Sequence, residues 1–272
     1  MTGPLSEPPG QLSPATIVPA WAAPGNVGAL FTTRHGGVSD GRWAGVDGER
    51  GLNLGAHCGD QPHRVEQNRR LVAGQIGMPI CWLSQVHGAR VVEVDESSRA
   101  EAVGQAAAVE SADAQLTTVP GIALGVLVAD CLPVLLADRR GSIVGIAHAG
   151  WRGMAGGVLE NTIEAMRLRR PDADIIAWLG PCIGPDAFEV GEDVLDAFVR
   201  QDPAAAARFR LCQRAGKWWA DLAGLAGLRL ARAGVSAVAA LGACTVTDRD
   251  RFWSYRRDGV CGRMAGLIWL QH

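Results

Sequence analysis

The chain has 272 residues, a length that fits one domain, or two fused halves, around a single core. Its 48% hydrophobic and 20% charged residues match a folded globular protein and exclude disorder as its main character, while 35 Gly and 14 Pro scattered without period exclude collagen-like and coiled-coil chains. A formal net charge of −2 leaves no basic face for general nucleic-acid binding.

Residues 1–24 are rich in Pro (Pro4, Pro8, Pro9, Pro14, Pro19, Pro24) and poor in apolar anchors, which predicts a flexible leader followed by one catalytic domain over 25–272. Order is expected to begin near Asn26, where VGALFTT reads as a strand. A Gly-rich loop runs on to Gly55. Asp60 as cap and Pro62 in the first turn predict a helix ending at Gly74 or Gly77. Short strands fit Ile80–Ser84 and Arg90–Val94, and the Ala-rich stretch 96–110 reads as a surface excursion. Gly121–Ala129 and Leu132–Ala137 are near-continuous apolar runs, the pattern of strands buried on both faces. Ser142–His148 is another strand, followed by GWRG and a helix from about Met154 to Arg169. A strand at Ile175–Leu179 and a helix at Glu192–Gln201 come next. An Asp221-capped helix ends at Gly234, and strands at Val235–Leu241 and Met264–Leu270 close the chain. The fold class is α/β (α+β), a single-domain sandwich with mixed β-sheets flanked by helices.

Seven Cys, an odd number with no C-x-x-C pair, argue against a disulfide framework and for a reducing compartment. No secretory n-region and no apolar run long enough for a membrane span is visible, so a cytoplasmic protein with no membrane partner is expected. Of 26 cationic side chains only Lys217 is a lysine, so any phosphate is gripped by guanidinium forks or backbone amides. No G-x-G-x-x-G, P-loop, H-E-x-x-H or zinc-deaminase signature occurs. A single G-x-S-x-G places Ser39 before RWAGVDG, which opens no helix, so Ser39 is a turn residue.

What remains is a constellation. His87 in SQVHGARVV and His148 in GIAHAGWRG sit where strands meet loops, and Cys131 in VADCLPVLL lies between two apolar strands. Two imidazoles and a thiolate could hold Zn²⁺ and leave one position open, as in a catalytic site. The bland alternative is a buried thiol and two hydrogen-bonded imidazoles. GWRG, between a strand and a helix, offers Gly150 and Gly153 for close backbone approach and Arg152 as a fork, which makes an anion site; a tight turn with a solvated Arg152 fits equally well. Arg34 in FTTRHGG is a second candidate for phosphate. Trp218 and Trp219 read as core or interface anchors that could alternatively stack a base, and SYRRDG as either pocket lining through Tyr255 and Arg256 or a charged turn.

Seven ordered segments carry a resemblance. They are FTTRHGGVSDG (31–41), LNLGAHCGDQPHRVEQNRR (52–70), SQVHGARVVEV (84–94), ADAQLTTVPGIALGVLVADCLPVLLAD (112–138), GIAHAGWRGMAGGVLENTI (145–163), LGPCIGPDAFEVGEDV (179–194) and CTVTDRDRFWSYRRDGVCGRMAGLIWL (244–270). Together they resemble the laccase-domain family, also called the polyphenol oxidase or purine nucleoside phosphorylase family, which includes the bacterial peptidoglycan editing factor. Asp186, Ala187, Thr247 and Cys261 depart from the family pattern without touching the three candidate ligands.

The resemblance implies Zn²⁺ on His87, Cys131 and His148, in a fold similar to a toxin's Cys/His deamidase domain. It further implies a metal-dependent phosphorylase that takes adenosine or inosine and phosphate to ribose 1-phosphate and free base. Adenosine deaminase and methylthioadenosine phosphorylase side activities belong to the same implication. Two alternatives use the same residues. One is a Cys/His hydrolase with Cys131 as nucleophile and His148 as base, acting on a peptidoglycan precursor. The other is phenol oxidation by Cu²⁺ in the same site, although six His with no H-x-H pair cannot furnish a multi-copper cluster.

Overall fold

The computed structural model describes residues 15–98 and 110–271. Two mixed sheets stack face to face, with helices on both outer sides. The first sheet has the order β1 (Thr16–Ile17), β2 (Val27–Thr32), β15 (Met264–Leu270), β7 (Ala123–Val128) and β4 (Ile80–Cys81). The second runs β14 (Ala237–Ala240), β10 (Ile175–Leu179), β8 (Leu132–Asp138), β9 (Val144–Ala149), β6 (Ala114–Thr117) and β5 (Val91–Glu93). Neighbours are antiparallel except at β7–β4, β10–β14 and β5–β6. A small third sheet, β11 (Glu189–Gly191), β13 (Lys217–Ala220) and β12 (Phe209–Leu211), carries Trp218 and Trp219 half-buried. The remaining strand, β3 (His35–Ser39), bridges to Gly51 inside the Gly-rich loop.

The alternation within β8 explains why its sequence is apolar throughout. Leu135 and Ala137 face the first sheet, packing with Leu124, Val126, Met264 and Ile268. Leu132, Val134 and Leu136 face the helix layer. That layer is α3 (Val158–Arg169), α4 (Glu192–Val199) and α5 (Leu222–Arg232), which bury Ile163, Met166, Phe198, Leu225 and Leu230. On the far side α1 (Pro62–Ile76) and the loop residues Leu52 and Leu54 cover Leu127, Leu267 and Trp269. Each fully buried Leu or Ile contributes roughly 2 kcal/mol, against about 0–1 kcal/mol for an exposed ion pair. The sheet interfaces therefore hold the fold, and the many Arg–carboxylate pairs on the surface add little.

Several expectations shift in detail. Part of the segment expected as leader is paired: Thr16 and Ile17 lie opposite Thr32 and Phe31, because β2 would otherwise present a bare edge. Residues 1–14, and 99–109 of the expected Ala-rich excursion, lie outside the described residues. The helix expected from Met154 to Arg169 is two helices, α2 (Trp151–Ala155) and α3. They are split at Gly156 and at Gly157, whose φ of 92° is left-handed. Gln61, not Asp60, stands at the N-cap position of α1 without a side-chain cap bond, because the Asp60 carboxylate is engaged by Ser39 and Asn53, and the helix ends at Gly77 in the left-handed region. Asp221 caps α5 as its sequence predicts, accepting from the Gly224 amide at 2.8 Å. A last short helix, α6 (Tyr255–Asp258), precedes β15. Among the described residues no helix is long and apolar enough to cross a membrane.

Candidate metal centre

The register of the second sheet brings the three candidate ligands together. β8 and β9 form a hairpin in which Leu132 pairs with Ala149 and Pro133 with His148, so Cys131, one residue before β8, lies next to His148. β6 runs against the other side of β9, pairing Ala114 with Ala147, so Asp113 meets His148. β5 lies parallel to β6, and the turn leading into it carries His87. The ligand atoms of His87, Cys131 and His148 all fall within 4.8 Å of one another. Cys131 Sγ is 3.8 Å from His87 Nε2, and the two imidazole rings stand edge to face at 4.8 Å between centroids.

Asp113 organises this cluster. It is fully buried, and it accepts from the amides of Val86 (3.1 Å), His87 (2.9 Å) and Gly88 (2.7 Å) and from His148 Nδ1 (2.8 Å). Three amides converging on one carboxylate hold His87 at a φ of 60°, a left-handed conformation that a non-glycine residue adopts only under constraint. The fourth bond fixes the His148 tautomer and leaves Nε2 to face the cluster, the carboxylate–histidine arrangement that orients metal ligands. Asp130, before Cys131, has a φ of 90° and is clamped in the same way. Its carboxylate accepts from Thr245 Oγ1 (2.6 Å) and from the Arg256 amide (2.7 Å). Two of the three left-handed non-glycine residues among those described thus serve this centre.

The electrostatics favour ligation. Burial pushes the Cys131 thiol up, but the His148 charge and hydrogen bonds from His148 and His87 more than reverse it, to about 6. Burial lowers His148, yet the Cys131 thiolate and the bond to Asp113 raise it to about 9. Burial also raises Asp113, and its bonds to His148 and the Gly88 amide bring it below the ordinary carboxylate value. By contrast burial pushes the Cys261 thiol up to about 11 and Cys182 higher still. Two imidazoles and a readily formed thiolate, anchored from behind by a carboxylate, fit a tetrahedral Zn²⁺ with one open position.

The other sequence candidates fall differently. A Cβ on Gly150 would stand 3.0 Å from Cys131 Sγ and 3.1 Å from His87 Cδ2, and one on Gly153 would meet the Gly88 carbonyl at 2.6 Å. Both glycines let α2 pass close behind the ligands. Arg152 is exposed, its guanidinium 4.3 Å from the Trp151 ring centroid, at the start of a helix of only five residues. Arg34 donates to the carbonyls of Arg249, Ala44 and Gly45, tying two loops together. Asp113 and Asp130 were not singled out from the sequence. The signal was present: each is a carboxylate beside a buried strand, where an unpaired charge is too costly to survive.

Residues 28–271 match the family model described as multi-copper polyphenol oxidoreductase laccase. The chain belongs to this laccase-like family. It is 46% identical over 257 residues to a purine nucleoside phosphorylase of Pseudomonas aeruginosa, covering 94% of this chain and 99% of that relative. It is 45% identical to the purine nucleoside phosphorylase YfiH of Escherichia coli, covering 93% and 98%. Among solved structures of the laccase-like family, a Neisseria meningitidis protein superposes with a TM-score of 0.84 at 49% identity, covering 94% and 99%. YlmD from Geobacillus stearothermophilus gives 0.82 at 34%, covering 91% and 93%.

Proposed function

We propose that the protein is a zinc-dependent purine nucleoside phosphorylase that converts adenosine or inosine and phosphate to free base and ribose 1-phosphate. The carrying observation is the His87–Cys131–His148 cluster, set around one buried carboxylate in a chain whose relatives bear that enzymatic name over nearly their whole length. Adenosine deamination and methylthioadenosine phosphorolysis are extensions of the same proposal, as is action in the cytoplasm.

The bond to be broken joins the purine to ribose and cleaves through an oxocarbenium-like sugar, so phosphate must be placed on one face and the departing base stabilised. Bound by the three ligands, Zn²⁺ would supply Lewis-acid charge at that point. Asp113 holds His148 and the His87 turn in place, so the site needs little reorganisation on binding. Arg152, exposed in α2 beside Gly150 and Gly153, would offer a fork for phosphate. Arg34 acts at one remove, by fixing the loop that carries Ala44 and Gly45.

A second reading has an observation of its own. Without metal, Cys131 and His148 form a thiolate–imidazolium pair, the resting state of a Cys/His hydrolase. One experiment separates the two. Purified protein of known metal content is incubated with inosine or adenosine, with and without phosphate, and base and ribose 1-phosphate are followed by chromatography. Phosphate-dependent release that disappears when zinc is stripped and returns on its restoration supports the phosphorylase. Release that is independent of phosphate, or that survives in zinc-free protein, overturns it in favour of the Cys/His pair.

A further inference from the structure

The helix bonded to Asp130, next to Cys131, carries an aromatic ring that the chemistry above leaves unused. The chain has one tyrosine, and Tyr255 is 60% exposed, whereas every Phe and Trp is buried or half-buried. A singly exposed ring is ordinary by itself; what distinguishes this one is where the fold holds it.

Its position is fixed from several sides. Tyr255 opens α6, and the next amide, that of Arg256, donates to Asp130 Oδ2 beside the ligand Cys131. Ser254 caps the turn by accepting from the Arg257 amide at 3.2 Å. The Arg263 guanidinium lies 5.8 Å from the Tyr255 ring centroid and is itself held by the carbonyls of Cys261 and Gly262. A restrained cation therefore backs the ring and leaves its remaining surface to solvent.

Arg263 links this helix to the loop before α1. Arg263 packs against Gly55 in the loop bearing His57. Burial, then the charges of Arg263, Arg69 and His87, lower the His57 imidazole. Of the seven exposed large apolar side chains among the described residues, two more lie on these segments: Val86 beside His87, and Val260 between Tyr255 and Arg263 in the chain. An exposed aromatic backed by a cation, on the helix whose Arg256 amide bonds Asp130 next to Cys131, offers a surface that suits the flat π-face of a heterocyclic base.

We propose that Tyr255, backed by Arg263, is the platform on which the purine of the nucleoside stacks, an inference that rests on the phosphorylase reading. Stacking reads the π-face rather than the exocyclic group, so it serves adenine and hypoxanthine alike.

The test uses the full-length, zinc-loaded protein. Tyr255→Ala raises the KM for inosine and for adenosine about tenfold, consistent with the loss of one stacked base, leaving the KM for phosphate and the zinc content unchanged; Tyr255→Phe restores both nucleoside values. An independent readout needs no turnover. Tetranitromethane nitrates the single tyrosine, followed by peptide mass spectrometry, and saturating inosine or adenosine protects it while phosphate alone does not. Nucleoside KM values unchanged in Tyr255→Ala, or nitration indifferent to nucleoside, overturn the platform. Absence of turnover in the parent protein with protection intact overturns the phosphorylase reading and leaves the platform standing.

Discussion

Asp113 and Asp60 are both buried carboxylates that gather donors from separate segments, and the difference between their partners separates chemistry from architecture. Asp60 accepts from Ser39 Oγ (2.6 Å), Asn53 Nδ2 (3.0 Å) and the Gln61 amide (2.8 Å). Asn68 extends that network to Ser39 and to the Asn53 carbonyl, binding the Gly-rich loop to α1. All these partners are neutral and none titrates near neutral pH. Asp113 instead takes three amides of one turn and an imidazole that is coupled to a thiolate. One carboxylate locks a loop; the other sets the geometry of two candidate metal ligands and the protonation of one of them.

The largest expected effect is deletion of a ligand. His148→Ala should lose zinc and phosphate-dependent base release together, with metal per chain measured by atomic emission on freshly purified protein. Turnover retained without metal would place catalysis outside the cluster. Asp113→Asn comes next. It puts an amide NH₂ among converging N–H donors and removes the charged acceptor of His148. A 10–100-fold weaker zinc affinity follows from the loss of such a partner, read by chelator competition. Asp60→Asn should leave that affinity unchanged. If both variants weaken zinc equally, the contrast between the two carboxylates is wrong.

The pH dependence of zinc affinity sharpens the picture of the coupled pair. Ligation needs a thiolate and a neutral imidazole. Between about 6.5 and 9 the metal-free Cys131 is already ionised while His148 still carries a proton that zinc must displace. Affinity should therefore rise about tenfold per pH unit through that window, and about twice as steeply on a logarithmic scale below 6, where Cys131 is protonated too. Iodoacetamide labelling of Cys131 in metal-free protein should have its midpoint near pH 6 and be blocked by zinc, with buried Cys182 unreactive. A midpoint near the ordinary thiol value of about 8.5 would show that the pair does not form.

Smaller effects separate ligand position from fold. In Gly150→Ala the new methyl crowds Cys131 and His87, so zinc affinity should fall several-fold with little change in Tm. Asp60→Asn should do the reverse. It disrupts a buried network at a cost of about 1–3 kcal/mol and lowers Tm by several degrees, at roughly 2–4 °C per kcal/mol. Thermal unfolding monitored by circular dichroism, alongside chelator competition, checks both variants.

The elements most legible in the sequence are those that local patterning decides. The apolar runs of β7 and β8, the Asp221 cap of α5, and β10 and β15 all stand within a few residues of their expected places. Elements decided by partners were not legible. β1 exists because β2 offers an edge, and the third sheet depends on pairing Glu189–Gly191 with Lys217–Ala220 across intervening segments. The helix after GWRG breaks at Gly156 and Gly157, although apolar spacing alone carries it through.

Residue chemistry and spacing by themselves put His87, Cys131 and His148 forward, because few other Cys and His stand at strand ends in this chain. Sequence could also supply the class of fold, since runs buried on both faces require layers above and below. Only the tertiary structure decided that the three candidate ligands meet. It alone showed that Asp113 and Asp130 hold their strained turns, and that Gly150 and Gly153 serve close packing behind them. It also showed Arg34 donating to the carbonyls of two loops. Long-range register is the physical reason. The bonds that fix this centre join residues 86–88, 113, 130–131, 148, 245 and 256, and no local pattern encodes distances between segments so far apart in the chain.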